Sequence, residues 1–132
     1  MEYLEILIAA VAAFLLGFLW YTALFGKVWQ SETGITDEDA STGIALTHGT
    51  AFIMMLLIAS TINMIINMHE LHEQTLVHGA FHGAMMAAFV AIPLLVIHYM
   101  YQKKSLKLIL IDGTYSLVFF SLIGAVLGAL NL

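Results

Sequence analysis

The chain has 132 residues, 61% of them hydrophobic and only 10% charged, and its mean hydropathy is +0.96; these values exclude an ordinary water-soluble globular domain. The formal charge of −5 comes from acids gathered in a loop, "SETGITDEDA", while four lysines and no arginine form no phosphate-binding patch, which argues against a nucleic-acid partner. Zero cysteines exclude disulfides, thiolate metal sites and a cysteine nucleophile.

Four apolar runs, about residues 3–25, 45–68, 77–101 and 108–130, each exceed the roughly 20 residues that cross a hydrocarbon core. None alternates as a barrel strand would, so each is expected to be a transmembrane helix with its backbone satisfied internally. The first run opens on Glu2-Tyr3-Leu4-Glu5, with no basic leader, and is too long for a signal core. It is therefore expected to be retained. Trp20 near its end and Trp29 in the next loop are expected to act as interfacial anchors.

In the first loop, Thr36 precedes Asp39 by three residues, the spacing of a capping box, which predicts a short interfacial helix over about 36–43. Thr75 is placed to cap the third span and Ser105 the fourth, and the connections "HELHEQT" and "QKKS" are short enough to make successive spans antiparallel neighbours. Pro93, the sole proline, should kink the third span. Small residues four apart, Ala9-Ala13-Gly17, Gly79-Gly83 and Gly124-Gly128, let helix backbones approach closely. Lys27, Lys103, Lys104 and Lys107 lie in the first and third loops or at the start of the fourth span, which predicts those loops on the cytoplasmic side and both termini on the outer side. The expected fold is an all-α membrane protein, a single transmembrane domain over 1–132 built as an antiparallel four-transmembrane-helix bundle.

Two segments echo each other. "LTHGTAF" at 46–52 and "LIDGTYS" at 110–116 align His48 with Asp112 ahead of a shared Gly-Thr, as two repeated helical hairpins would. Folding the chain about its loops at about 1.5 Å per residue brings Tyr21, His48, His98 and Asp112 to one depth. An acid inside a bilayer needs a partner. This intramembrane polar layer could be a proton relay or a channel or carrier site, a cofactor pocket, or an interhelical hydrogen-bond cluster that only fixes packing. His48 and His98 are also the one pair suited to bis-histidine haem on adjacent spans.

The stretch "HELHEQTLVHGAFHG" gathers His69, His72, His78 and His82 at the opposite face. His78 and His82 are four apart on a helix, the spacing at which two imidazoles share a transition metal. Asn63, Asn67, Met64 and Met68 should lie at similar depth; thioether with imidazole would suit copper, carboxylate with imidazole zinc. No glycine-rich phosphate loop, serine elbow or paired catalytic carboxylate is present, so hydrolase and nucleotide-dependent readings have nothing to rest on.

At "LGFLWYTALFGKVWQSETGITDED" and "LILIDGTYSLVFFSLIGAVLG" the chain resembles a family of small bacterial membrane proteins catalogued as a domain of unknown function, the 1761 family. The resemblance implies a four-helix protein of a bacterial cytoplasmic (inner) membrane, multi-pass, with no activity, substrate or catalytic residues to carry over. The leading functional expectation is a non-enzymatic subunit with the lipid bilayer around it and a homo-oligomer or other membrane subunits as partners. A small proton-coupled carrier or channel, and a haem- or metal-binding protein, are the alternatives.

Overall fold

The computed structural model describes residues 2–130, which carry helices and no strand. Four helical segments are long and apolar enough to cross a membrane: Glu2–Leu24, Ile44–Ile66, Leu76–Tyr101 and Leu106–Leu130. They overlap the four runs read from hydropathy, because a run of about 20 apolar residues has no other way to satisfy its backbone in lipid.

The first span consists of α1 (Glu2–Leu19) and a π-helical turn (Trp20–Leu24). Along α1 the stripe Glu5, Ala9, Ala13 is buried, at the spacing that places side chains above one another on one face. After the π-turn come α2 (Gly26–Thr33) and α3 (Asp37–Ser41). Gly34, at φ 74, closes α2 by donating its N–H to the Gln30 carbonyl, a left-handed position that glycine reaches without a Cβ clash. The expected capping box is present. Asp39 N–H donates to Thr36 Oγ1 (3.1 Å) and Thr36 N–H to Asp39 Oδ2 (3.0 Å), although the helix is shorter than the expected 36–43.

The second span is α4 (Ile44–Ile66); a 3-10 turn (Leu71–Glu73) then leads to α5 (Leu76–Met86), a second π-turn (Ala87–Ala91) and α6 (Ile92–Tyr101), which together make the third span. The fourth span is α7 (Leu106–Leu130). Pro93 is the second residue of α6, but Ala91 and Ile92 ahead of it are right-handed helical, so it stands inside one continuous span, where its ring crowds the preceding turn. The π-turn lies immediately before it, and Ile92 N–H reaches back five residues to the Ala87 carbonyl. Relief of proline's clash with the preceding turn thus takes the form of a π-bulge.

Helix α7 is central and packs against α1, α4, α5 and α6. Its tightest partner is α5: a Cβ added at Gly79 would collide with the Gly124 carbonyl, one at Gly83 with the Phe120 carbonyl, and one at Gly128 with the Thr75 carbonyl. These glycines bring two backbones into contact, as the small-residue spacing predicted. On another side of α7 the core joins Ala9, Ala13, Ala59, Ile62, Ile66, Phe119, Ile123 and Leu127. That core fills the half of the bundle bearing the termini. In the lysine-bearing half the packing loosens: the buried residues of α4 all lie at or beyond Ala59, and α6 has none.

Candidate functional site

Two polar constellations occupy opposite ends of the bundle. In the lysine-bearing half, Asp112 on α7 is 6% exposed. Tyr21 Oη, from the first π-turn, donates to its Oδ1 at 2.5 Å, and Tyr99 Oη, from α6, donates to its Oδ2 at 2.6 Å. Each carboxylate oxygen therefore has one phenol donor, and one acid ties three spans together. The Tyr115 ring packs 4.9 Å from that of Tyr21, and the Trp29 ring meets Tyr21 edge-on at 5.5 Å. Two grooves of about 220 and 200 Å³ flank α7 nearby, and neither is lined by Asp112, Tyr21 or Tyr99. Chemically this is a closed, satisfied cluster of the kind that fixes helix packing.

The expected layer of Tyr21, His48, His98 and Asp112 is therefore corrected in two of its four members. Tyr21 and Asp112 meet, but His48 and His98 are both exposed. His48 rests its ring edge-on against Phe14 at 5.6 Å, on the loosely packed start of α4. His98 lies beside Tyr99 in the chain, and Tyr99 turns inward in its place. Depth was counted from residues, which says nothing of which way a helix face points. The haem pairing of His48 and His98 loses its support on the same ground: axial ligands must face each other across one iron, and both of these imidazoles are exposed.

Of the expected anchors, Trp20 is also corrected. It is 7% exposed and packs against Phe25 at 4.7 Å and Tyr115 at 6.0 Å, so its ring belongs to the protein interior. Its indole Nε1 is buried with no hydrogen-bond partner among the described residues. Trp29 is half-buried on α2.

At the other end, His78 and His82 on α5 come together as their spacing predicted, with Nε2 atoms 2.7 Å apart, so that one ring's N–H donates to the other's lone pair. His69, in the turn after α4, joins them. All three ring pairs have centroids 4.6 Å apart. His72 does not join; it pairs with Glu70 at 3.4 Å on the exposed side of the 3-10 turn. Close by, Glu2 accepts from Asn63 Nδ2 (2.9 Å) and Asn67 Nδ2 (3.2 Å), clamping the start of α1 to the end of α4.

Sequence reasoning missed Tyr99 and Glu2, and it placed His69 in the histidine cluster without adding it to the metal pair. Tyr99 was hidden by its neighbour His98 and Glu2 by its place at the chain start, while His69 lies outside the i, i+4 pair. For His69 a signal existed: it falls just beyond the apolar run and six residues before the cap at Thr75, so the hairpin must fold it back over α5.

The profile of the family described as Protein of unknown function (DUF1761) matches residues 4–128, nearly the whole chain, and the chain belongs to that family. No curated protein and no solved structure matches it.

Proposed function

We propose that this family member is a non-enzymatic, multi-pass protein of a bacterial cytoplasmic (inner) membrane that works as a homo-oligomer, with an accessory role beside other membrane subunits as the variant of the same reading. Lysine asymmetry supports an orientation with the Lys27 and Lys103–Lys107 end in the cytoplasm and both termini outside. The echo between 46–52 and 110–116 supports descent from a repeated helical hairpin.

The observation that carries the oligomer reading is the exposure of His48 and His98 within apolar spans. A lone imidazole facing acyl chains is unfavourable, and packing against another membrane helix supplies hydrogen-bond partners and removes lipid from around it. Thr47 and Thr50 are exposed on the same stretch of α4, and Gly49 between them has nothing within 4 Å of where a Cβ would stand. Within one chain this surface is uncovered, and a second copy covers it.

Gly49→Phe tests the reading. The added ring has free space in a single chain, so helicity and the Asp112 cluster should be retained, while an interface at Gly49 would be forced apart. Light scattering in lipid nanodiscs and cross-linking in native membranes should give an assembly for the parent and monomer for the variant. A parent that is monomeric and partnerless in both settings, or an assembly indifferent to Gly49→Phe, would overturn it.

A further inference from the structure

We infer that His69, His78 and His82 form a three-imidazole site for a divalent first-row transition ion, Zn²⁺ or Cu²⁺, at the termini-bearing end of the bundle. One potential ligand atom from each ring lies within 4.8 Å of the others, and the three rings form a near-equilateral triangle. The donors come from two chain segments, so the ion would close the hairpin between the second and third spans.

At His69 a hydrogen bond already sets the protonation pattern that a metal needs. His69 Nδ1 lies 3.1 Å from the Ile65 carbonyl oxygen. A carbonyl only accepts, so Nδ1 carries the proton and a neutral ring keeps its lone pair on Nε2. An N–H···O=C bond from the far nitrogen is the device that orients metal-bound imidazoles and raises their basicity. The His69 carbonyl in turn accepts from Gln74 Nε2 at 2.8 Å, which holds this turn in place.

His78 and His82 stand on an equally fixed base. Thr75 Oγ1 accepts from His78 N–H at 3.2 Å to cap α5, and the Gly79 and Gly83 contacts press that helix onto α7. Two ligands one turn apart on an immobile helix, plus a third on a braced turn, cost little to order on binding.

The distances fit a small ion. Tetrahedral coordination at about 2.0–2.1 Å sets neighbouring donors roughly 3.3 Å apart. The 2.7 Å separation of the His78 and His82 Nε2 atoms must open by about 0.6 Å, and the ring that carries the shared Nε2 proton releases it to solvent while taking one up at Nδ1, so that both bind as neutral imidazoles. Side-chain rotation suffices for that, with no change of backbone. An all-imidazole donor set selects zinc or copper over calcium or magnesium, which require oxygen ligands. All three rings are half-buried, so an ion can reach them, and three protein ligands leave a coordination position open.

The test uses the full chain without a polyhistidine tag, in lipid nanodiscs, stripped with a chelator and titrated separately with Zn²⁺ and Cu²⁺ against a chromophoric competitor. One ion per chain is expected. Because loss of an outer-shell partner already weakens binding by about 10–100-fold, His82→Gln or His69→Gln should each cost at least about 100-fold, with His72→Gln unchanged. X-ray absorption of the zinc-loaded parent is a readout independent of variant folding, and it should give a three-nitrogen imidazole shell. An oxygen-only shell, no bound ion at equimolar metal, or equal affinity in the parent and in the His69/His78/His82 triple variant would overturn the site.

Discussion

The seam between α5 and α7 makes the most exposed quantitative prediction. A Cβ placed at Gly79 collides with the carbonyl oxygen and carbon of Gly124, and one at Gly124 collides with those of Gly79. Both obstacles are backbone, so no side chain can swing away, and the 2.0 Å approach must open by about 1.3 Å to restore a C···O contact near 3.3 Å. A gap of that size forfeits roughly a quarter to a half of the dispersion energy along the seam. In lipid that loss is not softened by a hydrophobic drive to re-close. Overpacking of this kind costs about 1–3 kcal/mol, and a rigid obstacle places it near 3, while alanine recovers about 1 kcal/mol of helix propensity. Gly79→Ala should therefore lose about 2 kcal/mol net. Gly49→Ala keeps the propensity gain and meets nothing within its own chain, so in micelles dilute enough to hold single chains the two variants should differ by about 3 kcal/mol. Gly79→Ala/Gly124→Ala should cost less than the sum of the single changes, since the second methyl enters a seam already opened. Reversible unfolding in mixed micelles, followed by circular dichroism, measures all four. A difference between Gly79→Ala and Gly49→Ala below about 1 kcal/mol, or strict additivity in the double variant, would refute the backbone-contact argument.

Two further perturbations probe the polar groups. Asp112→Leu leaves the hydroxyls of Tyr21 and Tyr99 without their acceptor, at about 1–3 kcal/mol for each; in the same unfolding assay, adding Tyr21→Phe to Asp112→Leu should restore part of the loss, and no restoration would mean the hydroxyl was never dependent on the acid. Outside the membrane, the Thr36 backbone N–H and hydroxyl hold the Asp39 carboxyl below its ordinary value of 3.8. A depressed value means that the charged form is favoured by the fold, so this cap is fully present above 3.8 and fades as pH falls through the lowered value. An NMR titration of Asp39 should show that depression, and Thr36→Ala should return the titration toward 3.8.

Span number, the capping box at Thr36 and Asp39 and the glycine contacts were all legible in the sequence, because each depends on local composition or on an i, i+4 spacing that the chain carries explicitly. Which spans touch was less accessible. The sequence shows Gly79-Gly83 and Gly124-Gly128 as separate motifs, and only packing reveals that they face each other, leaving neither for contacts with a second chain. That outcome moves the argument for an oligomer away from small residues and onto the exposed His48, Thr47 and Thr50. Asp112 needed a partner on energetic grounds alone, but a phenol satisfies a buried carboxylate as well as an imidazole does, so the need did not name the partner.

The exchange of His98 for Tyr99 has a definite geometric cause. Gly79, Gly83 and Ala87 are buried along one face of the third span. Continued as an uninterrupted α-helix at roughly 100° per residue, that face returns eleven residues after Ala87, at His98, within about 20°. The π-turn at Ala87–Ala91 inserts about one extra residue, so the same face instead arrives at Tyr99. One residue of widening ahead of Pro93 thus decides that a phenol meets Asp112 and that an imidazole is turned out of the bundle. The first span carries the corresponding device at Trp20–Leu24, and Tyr21 within it supplies the other phenol. Both donors to the buried acid therefore lie within a π-turn or on the helix that follows one. Hydropathy and depth are blind to such a turn, since it changes neither the apolar content of a span nor, by more than about 1.5 Å, its length. What it changes is phase, and in the third span phase decides that the buried acid meets the phenol of Tyr99 and not the imidazole of His98.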